Sequence, residues 1–376
     1  MKKKSGIKVL MISFCMLIFS QMAQGAQELP GLAYDHSMEL QYATQFSVDY
    51  YQGGYALISI TDGDQFLVVP EGMEAPDGLD EDITVLQQPV SNIYLVATSA
   101  MDFFAAIDGM DAIRLSGTRP EKWYVEEAKE AMENGSIIYA GKYSAPDYEL
   151  IVSEKCGLAI ESTMIYHSPE VKEKLEEFGI PVLVEHSSYE EHPLGRTEWM
   201  KLYAVLLGKE QEAETLFSQQ IEKLQDVLTD DHTGKTVAFF YISTNGYANV
   251  RKANDYVSKM IEMAGGTYMF HDLAADDTAL STMNMQMEEF YAGAKDADYI
   301  IYNSTIDGEL DGMDALLQKS PLLADFKAVK EGHAWCTTQN LFQKSTGLAD
   351  MIVDIHTILT SDDEALDRTT YMYRLK

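Results

Sequence analysis

Short apolar runs alternate with stretches of helical periodicity along most of this chain. In the first half the runs 93–97, 112–115, 136–140, 158–161 and 181–185 are separated by segments at 101–107, 121–133, 146–152 and 169–178 whose pattern is helical. That spacing predicts strands joined by helices. The second half repeats it, with strands at 237–242, 299–302 and 334–336 and helices at 256–264, 287–295, 311–318 and 348–359. Short apolar strands linked by helices imply mostly parallel sheets covered on both faces. An earlier stretch follows another rule. Residues 46–70 read as a twisted hairpin interrupted at Gly53-Gly54 and at Asp62-Gly63-Asp64, and residues 30–45 carry no regular pattern.

Between the halves lie two helical patterns in succession. Pro193 suits a first helical turn, where its missing N–H would have had no partner. Trp199, Leu202, Tyr203, Leu206 and Leu207 then recur at helical spacing up to Gly208, and Ala213, Leu216, Phe217, Ile221, Leu224 and Leu228 form a second stripe opposite Glu, Gln, Lys and Asp. The expected fold is therefore α/β with two lobes, each a mostly parallel sheet flanked by helices. The lobes span 26–208 and 231–376, a single rigid interdomain helix (209–230) joins them, and a ligand cleft lies between.

Residues 1–25 read as an export signal. Lys2, Lys3, Lys4 and Lys8 precede an apolar run at 9–19, and Ala23-Gln24-Gly25 supplies small residues for cleavage before Ala26. The run is shorter than the roughly 20 residues that span a bilayer. Two alternatives stay open: an uncleaved anchor, and acylation at Cys15, against which the bulky Phe14 counts. The formal charge of −32 disfavours nucleic acid as a partner. Cys156 and Cys336 lie in opposite halves and read as isolated buried thiols.

Signatures of catalysis are lacking. There is no Gly-x-Ser-x-Gly elbow, P-loop or His-Glu-x-x-His, and Gly265-Gly266 reads as a helix C-cap. Ligands of parallel α/β sheets sit past the carboxyl ends of strands, which points to loops rich in hydroxyls, amides, Tyr and Met. The candidates are Ser99, Met101, Lys142, Tyr143, Ser162, Thr163, Tyr166, Tyr189 and Arg196 in the first lobe, and Asn245, Tyr247, Arg251, Asn303 and Trp335 in the second. Arg196 has an alternative role, pairing with Glu198. His186 and His192 flank a Ser-Ser-Tyr loop within reach of a metal or haem, although His192 also fits a helix entrance. Glu190-Glu191 reads as a solvated pair. Glu149 and Glu288 occupy equivalent places, early in a helix before a strand in each lobe, where the helix dipole favours a carboxylate.

The segment 192–213, the Pro146-Asp147-Tyr148-Glu149 helix, Ile160 to Tyr166, and Ala297 to Asn303 together resemble ABC-transporter substrate-binding proteins of the iron-siderophore, haem and vitamin B12 class. The resemblance covers most of residues 40–360. It implies an extracytoplasmic, monomeric binding protein with no catalysis and no cofactor of its own. Such a protein hands a small molecule to a membrane permease and its ATPase. The cargo expected is an iron complex, either a ferric siderophore or haem, with a corrinoid as the alternative. Haem would require a Tyr or His on iron, whereas a siderophore fills the iron shell itself. The resemblance also implies that Glu149 and Glu288, or Glu289 in its place, dock on the permease. A secreted metal-dependent hydrolase and a surface scaffold remain as readings of other classes.

Overall fold

A computed structural model describes residues 26–229, 232–273 and 282–376. The predicted leader and the last residue of the predicted interdomain helix fall outside the described residues.

The first lobe is built on five parallel strands lying side by side as Val182–Glu185, Leu158–Ser162, Ile93–Leu95, Ile113–Ser116 and Ile138–Tyr139. The chain builds outward from Ile93–Leu95 on one side, then from the same strand on the other. Winding therefore reverses between Ile93–Leu95 and Leu158–Ser162, the place where open parallel sheets bind ligands. The second lobe has a parallel centre of Thr236–Ile242, Tyr299–Tyr302 and Ala334–Thr337. Ala248–Arg251 and Thr282–Met285 extend it antiparallel on one side, and Met372–Arg374 on the other. These three additions carry polar residues within four-residue or shorter strands, so no apolar run announces them.

The hairpin 46–70 is the centre of a five-stranded sheet. Phe46–Tyr51, Tyr55–Ile60 and Gln65–Val69 meander antiparallel, Tyr34–Ser37 adds one edge and Ile83–Gln87 joins the other in parallel. The expectation that 30–45 is irregular thus fails at Tyr34–Ser37. Every residue of that strand is exposed; backbone pairing, the His36 ring stacked on Tyr50 and the Ser37 hydroxyl bonded to Asp49 hold it, so apolar alternation is unnecessary. Side chains alternate across this sheet. Val48, Ala56, Ile58, Phe66 and Val68 join the core of the first lobe, while Tyr51, Tyr55, Leu57, Leu67 and Val69 form a small separate core with Leu29 and Ile83.

Met200–Leu207 is buried at every position but the last and lies in the first core. Gly208, in the left-handed region at φ 66°, ends it. The chain then reverses into Glu210–Lys223, which sets Ala213 and Phe217 in the first core, while Leu224 and Val227 enter the second. The predicted helix is interrupted at Leu224, before a short turn of helix at Gln225–Thr229. Other segments also cross. Leu194, in the helix Pro193–Glu198, lies in the second core.

Candidate functional site

A cavity of about 460 Å³ opens between the lobes. Thr98, Gly117, Thr118, Arg119, Lys122, Tyr124 and Tyr139 line it from the first lobe, and Thr305, Ile306, Gln339 and Gln343 from the second. Thr98, Gly117 and Tyr139 stand at the carboxyl ends of three neighbouring parallel strands, and Thr305 and Gln339 follow two strands of the other sheet. Among the described residues, Arg119 and Lys122 are the only charged residues of the lining. In a chain of formal charge −32, a wall with two cations and no carboxylate is a local inversion of sign.

Buried polar residues shape that wall. Ser116 Oγ donates to the Thr118 carbonyl at 2.8 Å, accepts from Thr118 N–H at 3.0 Å and accepts from Trp123 Nε1 at 3.2 Å. One hydroxyl thus sets both ends of the loop. Gly117 must be glycine, since a Cβ there would stand 2.9 Å from Val96 Cγ1 and 3.0 Å from Val96 Cα. Trp123 and Val125 are buried on either side of Tyr124. The Arg119 guanidinium stacks 4.4 Å above the Tyr139 ring, an attraction that leaves its donors free to meet a ligand. On the facing wall the side-chain Oδ1 of the buried Asn303 accepts from Thr305 N–H and Oγ.

The second lobe grips the first through a short strap. Asp102, 3% exposed, accepts from Lys344 Nζ at 3.0 Å, Thr346 N–H at 2.9 Å and Thr346 Oγ at 2.5 Å. Ser345 Oγ donates to the Ser99 carbonyl at 2.8 Å. The helix Thr98–Ala106 is therefore pinned from the opposite lobe.

None of the predicted ligand contacts lines this cavity. Met101 is wholly buried in the first core, and the Trp335 ring lies in the second core beneath the Arg374 guanidinium. Both point into a sheet–helix interior, so their expected role as ligand contacts is corrected. Arg251 is buried too, 3.5 Å from Asp255 and near Phe342. Asn303 acts on Thr305 as described. Ser99 Oγ donates to the buried Glu185 carboxylate at 3.1 Å. Arg196 stacks 4.1 Å from the Tyr256 ring, and Glu198 pairs with Lys201 instead. Lys142 is exposed and Tyr143 half-buried on a small hairpin, and Asn245 and Tyr247 are exposed in the turn after Thr236–Ile242. Ser162 and Thr163 are half-buried where their strand ends, and Tyr166 and Tyr189 are exposed past the ends of neighbouring strands. Glu149 and Glu288 are both exposed in first helical turns, as is Glu289.

Further readings change with burial. Glu190 is 3% exposed rather than solvated. It accepts from the backbone of Thr44 and Gln45 and from Trp199 Nε1. His192 Nδ1 accepts from Leu194 N–H, which makes it the helix entrance; burial lowers its pKa to about 4. His186 Nε2 lies 2.7 Å from the Tyr166 hydroxyl, which donates to Asp62 in the leading sheet. Burial lowers the His186 pKa, partly opposed by Asp62 and Asp64. Burial likewise raises the pKa of Glu185, against its hydrogen bonds and Arg196.

Lys122 escaped sequence reading because 121–133 has a helical pattern throughout, and Arg119 lies just before it in a segment given no element. Helix begins only at Glu126, after one tight turn at Pro120–Lys122. Pro120 was the available signal: the residue before a proline is pushed out of helical geometry, so Gly117-Thr118-Arg119-Pro120 after a strand marks a loop.

A model of the family described as periplasmic binding proteins matches residues 102–340. An uncharacterized lipoprotein of Methanocaldococcus jannaschii is 27% identical over 352 residues, covering 85% of this chain and 81% of the relative. Among solved structures, a periplasmic haem-binding protein from Pseudomonas aeruginosa superposes with a TM-score of 0.58 at 17% identity, covering 76% of this chain and 98% of that one. A protein of an ABC-type Fe3+-hydroxamate transport system from Saccharomonospora viridis gives 0.55 at 18% identity, covering 72% and 93%. At such identities the likeness is one of fold.

Proposed function

The chain belongs to the periplasmic binding protein family, and from that premise we propose that it is the capture component of an ABC importer for an anionic, chelator-wrapped iron complex. One observation carries the reading: among the described residues, the interlobe cavity has Arg119 and Lys122 on its wall and no carboxylate. Guanidinium and ammonium groups bind oxyanions through charge-assisted hydrogen bonds. Thr98, Thr118, Thr305 and Gln339 add neutral partners, and Tyr124 and Tyr139 add flat apolar surface. A chelator that fills the iron shell asks only for these contacts. Binding is the whole task, with no reaction at the cleft.

Export by the leader would bring the protein to the outer face of the cytoplasmic membrane. The relative's name as a lipoprotein favours attachment there through Cys15. Glu149 and Glu288 would each meet a cationic pocket on the permease.

A thermal-shift panel of haem, cobalamin, a ferric tris-hydroxamate and a ferric tris-catecholate tests the cargo. A ligand at about 100 times its Kd adds roughly 2.7 kcal/mol, a rise of several degrees at this size. The catecholate complex is expected to give the rise. Replacing Arg119 and Lys122 together by Ala should weaken its binding by about tenfold or more without lowering the unligated unfolding temperature, because both side chains are exposed. Undiminished binding in that variant overturns the reading of the cleft. The double variant Glu149→Ala, Glu288→Ala should bind cargo normally and fail in uptake by cells. Loss of soluble binding would instead exclude the docking role.

A further inference from the structure

A single side chain of the second lobe reaches the backbone of the cationic loop. Gln343 Oε1 accepts from Tyr124 N–H at 2.7 Å, and its Nε2 donates to the Lys122 carbonyl at 2.8 Å. An N–H and a C=O are thus each met by the right end of one amide. The two bonds bracket Trp123, whose ring is buried and bonded to Ser116. Gln343 works from a fixed base, since Lys344, Ser345 and Thr346 are bonded to the helix Thr98–Ala106. Gln343 also lines the cavity.

Arg119 and Lys122 are long, exposed side chains at the start and end of one short turn, Pro120–Lys122, between a strand and a helix. Where their charges stand depends on where the loop backbone stands. Coulomb attraction weakens with distance and with added water between the charges, so a loop that drifts outward loses its hold on an anion first. A neutral ligand, held by hydroxyls and aromatic surface, loses less.

On the reading of the cleft given above, we propose that Gln343 is a specificity-determining positioning residue. By bridging from the second lobe to Lys122 and Tyr124, it holds the cationic wall in register with the facing wall and so selects anionic over neutral ferric chelates.

The test measures the affinity of the purified protein and its variants for two probes. One is a ferric tris-catecholate, whose chelate core is anionic. The other is a ferric tris-hydroxamate, whose chelate core is neutral. Gln343→Leu removes both bonds at similar bulk, and Gln343→Met is the second variant should leucine impair folding. Affinity for the catecholate is expected to fall about tenfold, as two lost hydrogen bonds warrant, and affinity for the hydroxamate by less than about twofold. A merely structural role would weaken both probes equally. That result, or no loss for either, overturns the proposal. The variant lacking Arg119 and Lys122 is measured alongside. If it loses the catecholate preference while Gln343→Leu keeps it, the inference about Gln343 fails and the reading of the cleft survives. If the wild-type protein binds neither probe, both fail.

Discussion

Replacing Glu198 by Ala is expected to destabilise the protein by about 4 kcal/mol, as removal of one partner from a buried charge pair does. Glu198 is fully buried. Its Oε2 accepts from the N–H groups of Tyr42 at 2.8 Å and Ala43 at 2.9 Å, and its Oε1 from Gln41 N–H at 3.0 Å and Lys201 Nζ at 3.1 Å. Alanine strands three consecutive amides and leaves Lys201, nearly buried, with Glu214, the Glu39 carbonyl and the face of the Phe217 ring. Since domains are stable by some 5–15 kcal/mol, this is a large share. Glu198→Gln keeps a carbonyl oxygen for the amides and should lose about half as much. The check is urea unfolding followed by tryptophan fluorescence. A loss below about 1 kcal/mol for the alanine variant would show that this carboxylate does not anchor the segment leading into the leading sheet.

Glu161→Gln should alter the pH dependence of stability markedly. Glu161 is fully buried in the strand Leu158–Ser162, and among the described residues neither carboxylate oxygen has a hydrogen-bond partner. Burial pushes its pKa up to about 8, whereas an unfolded glutamate titrates near 4.3. Between these values the folded chain holds a proton that the unfolded chain has released. Stability contributed by this group is therefore present at low pH and is lost as pH rises towards 8. From pH 5 to pH 8 the loss is roughly 3 kcal/mol. Glutamine cannot titrate, so the variant lacks this loss, and its stability relative to wild type should improve by roughly that amount over the same interval. Other ionisable groups cancel in the comparison. Parallel slopes for the two proteins between pH 5 and pH 8 would mean that Glu161 reaches solvent or a partner.

These two carboxylates mark where sequence reading stopped. A glutamate in an amphipathic pattern reads as solvated, as Glu190 did, because burial is not written beside it. The amides that satisfy Glu198 and Glu190 lie between 145 and 157 positions away in the chain. The same holds at the cleft. Thr98, Thr305 and Gln339 lie just past the strands that the pattern predicts at 93–97, 299–302 and 334–336. Which side chains of the loops there face the cavity depends on the turn each loop makes, and Lys122 was hidden under an apparent helix that begins two residues after Arg119.

Periodicity is local, so it was enough to specify strands, helices, their α/β order and the two lobes: each apolar run needs a covered face whatever its neighbours are. Cleft chemistry is not local. Gln343 meets Tyr124 across 219 positions, and Asp102 meets Thr346 across 244. Their partnership exists only once both lobes have folded and packed. The tertiary structure alone therefore decided that two exposed cations of an acidic chain share one wall, that Met101 and Trp335 belong to the cores, and that the leading sheet is tied to the rest through buried glutamates.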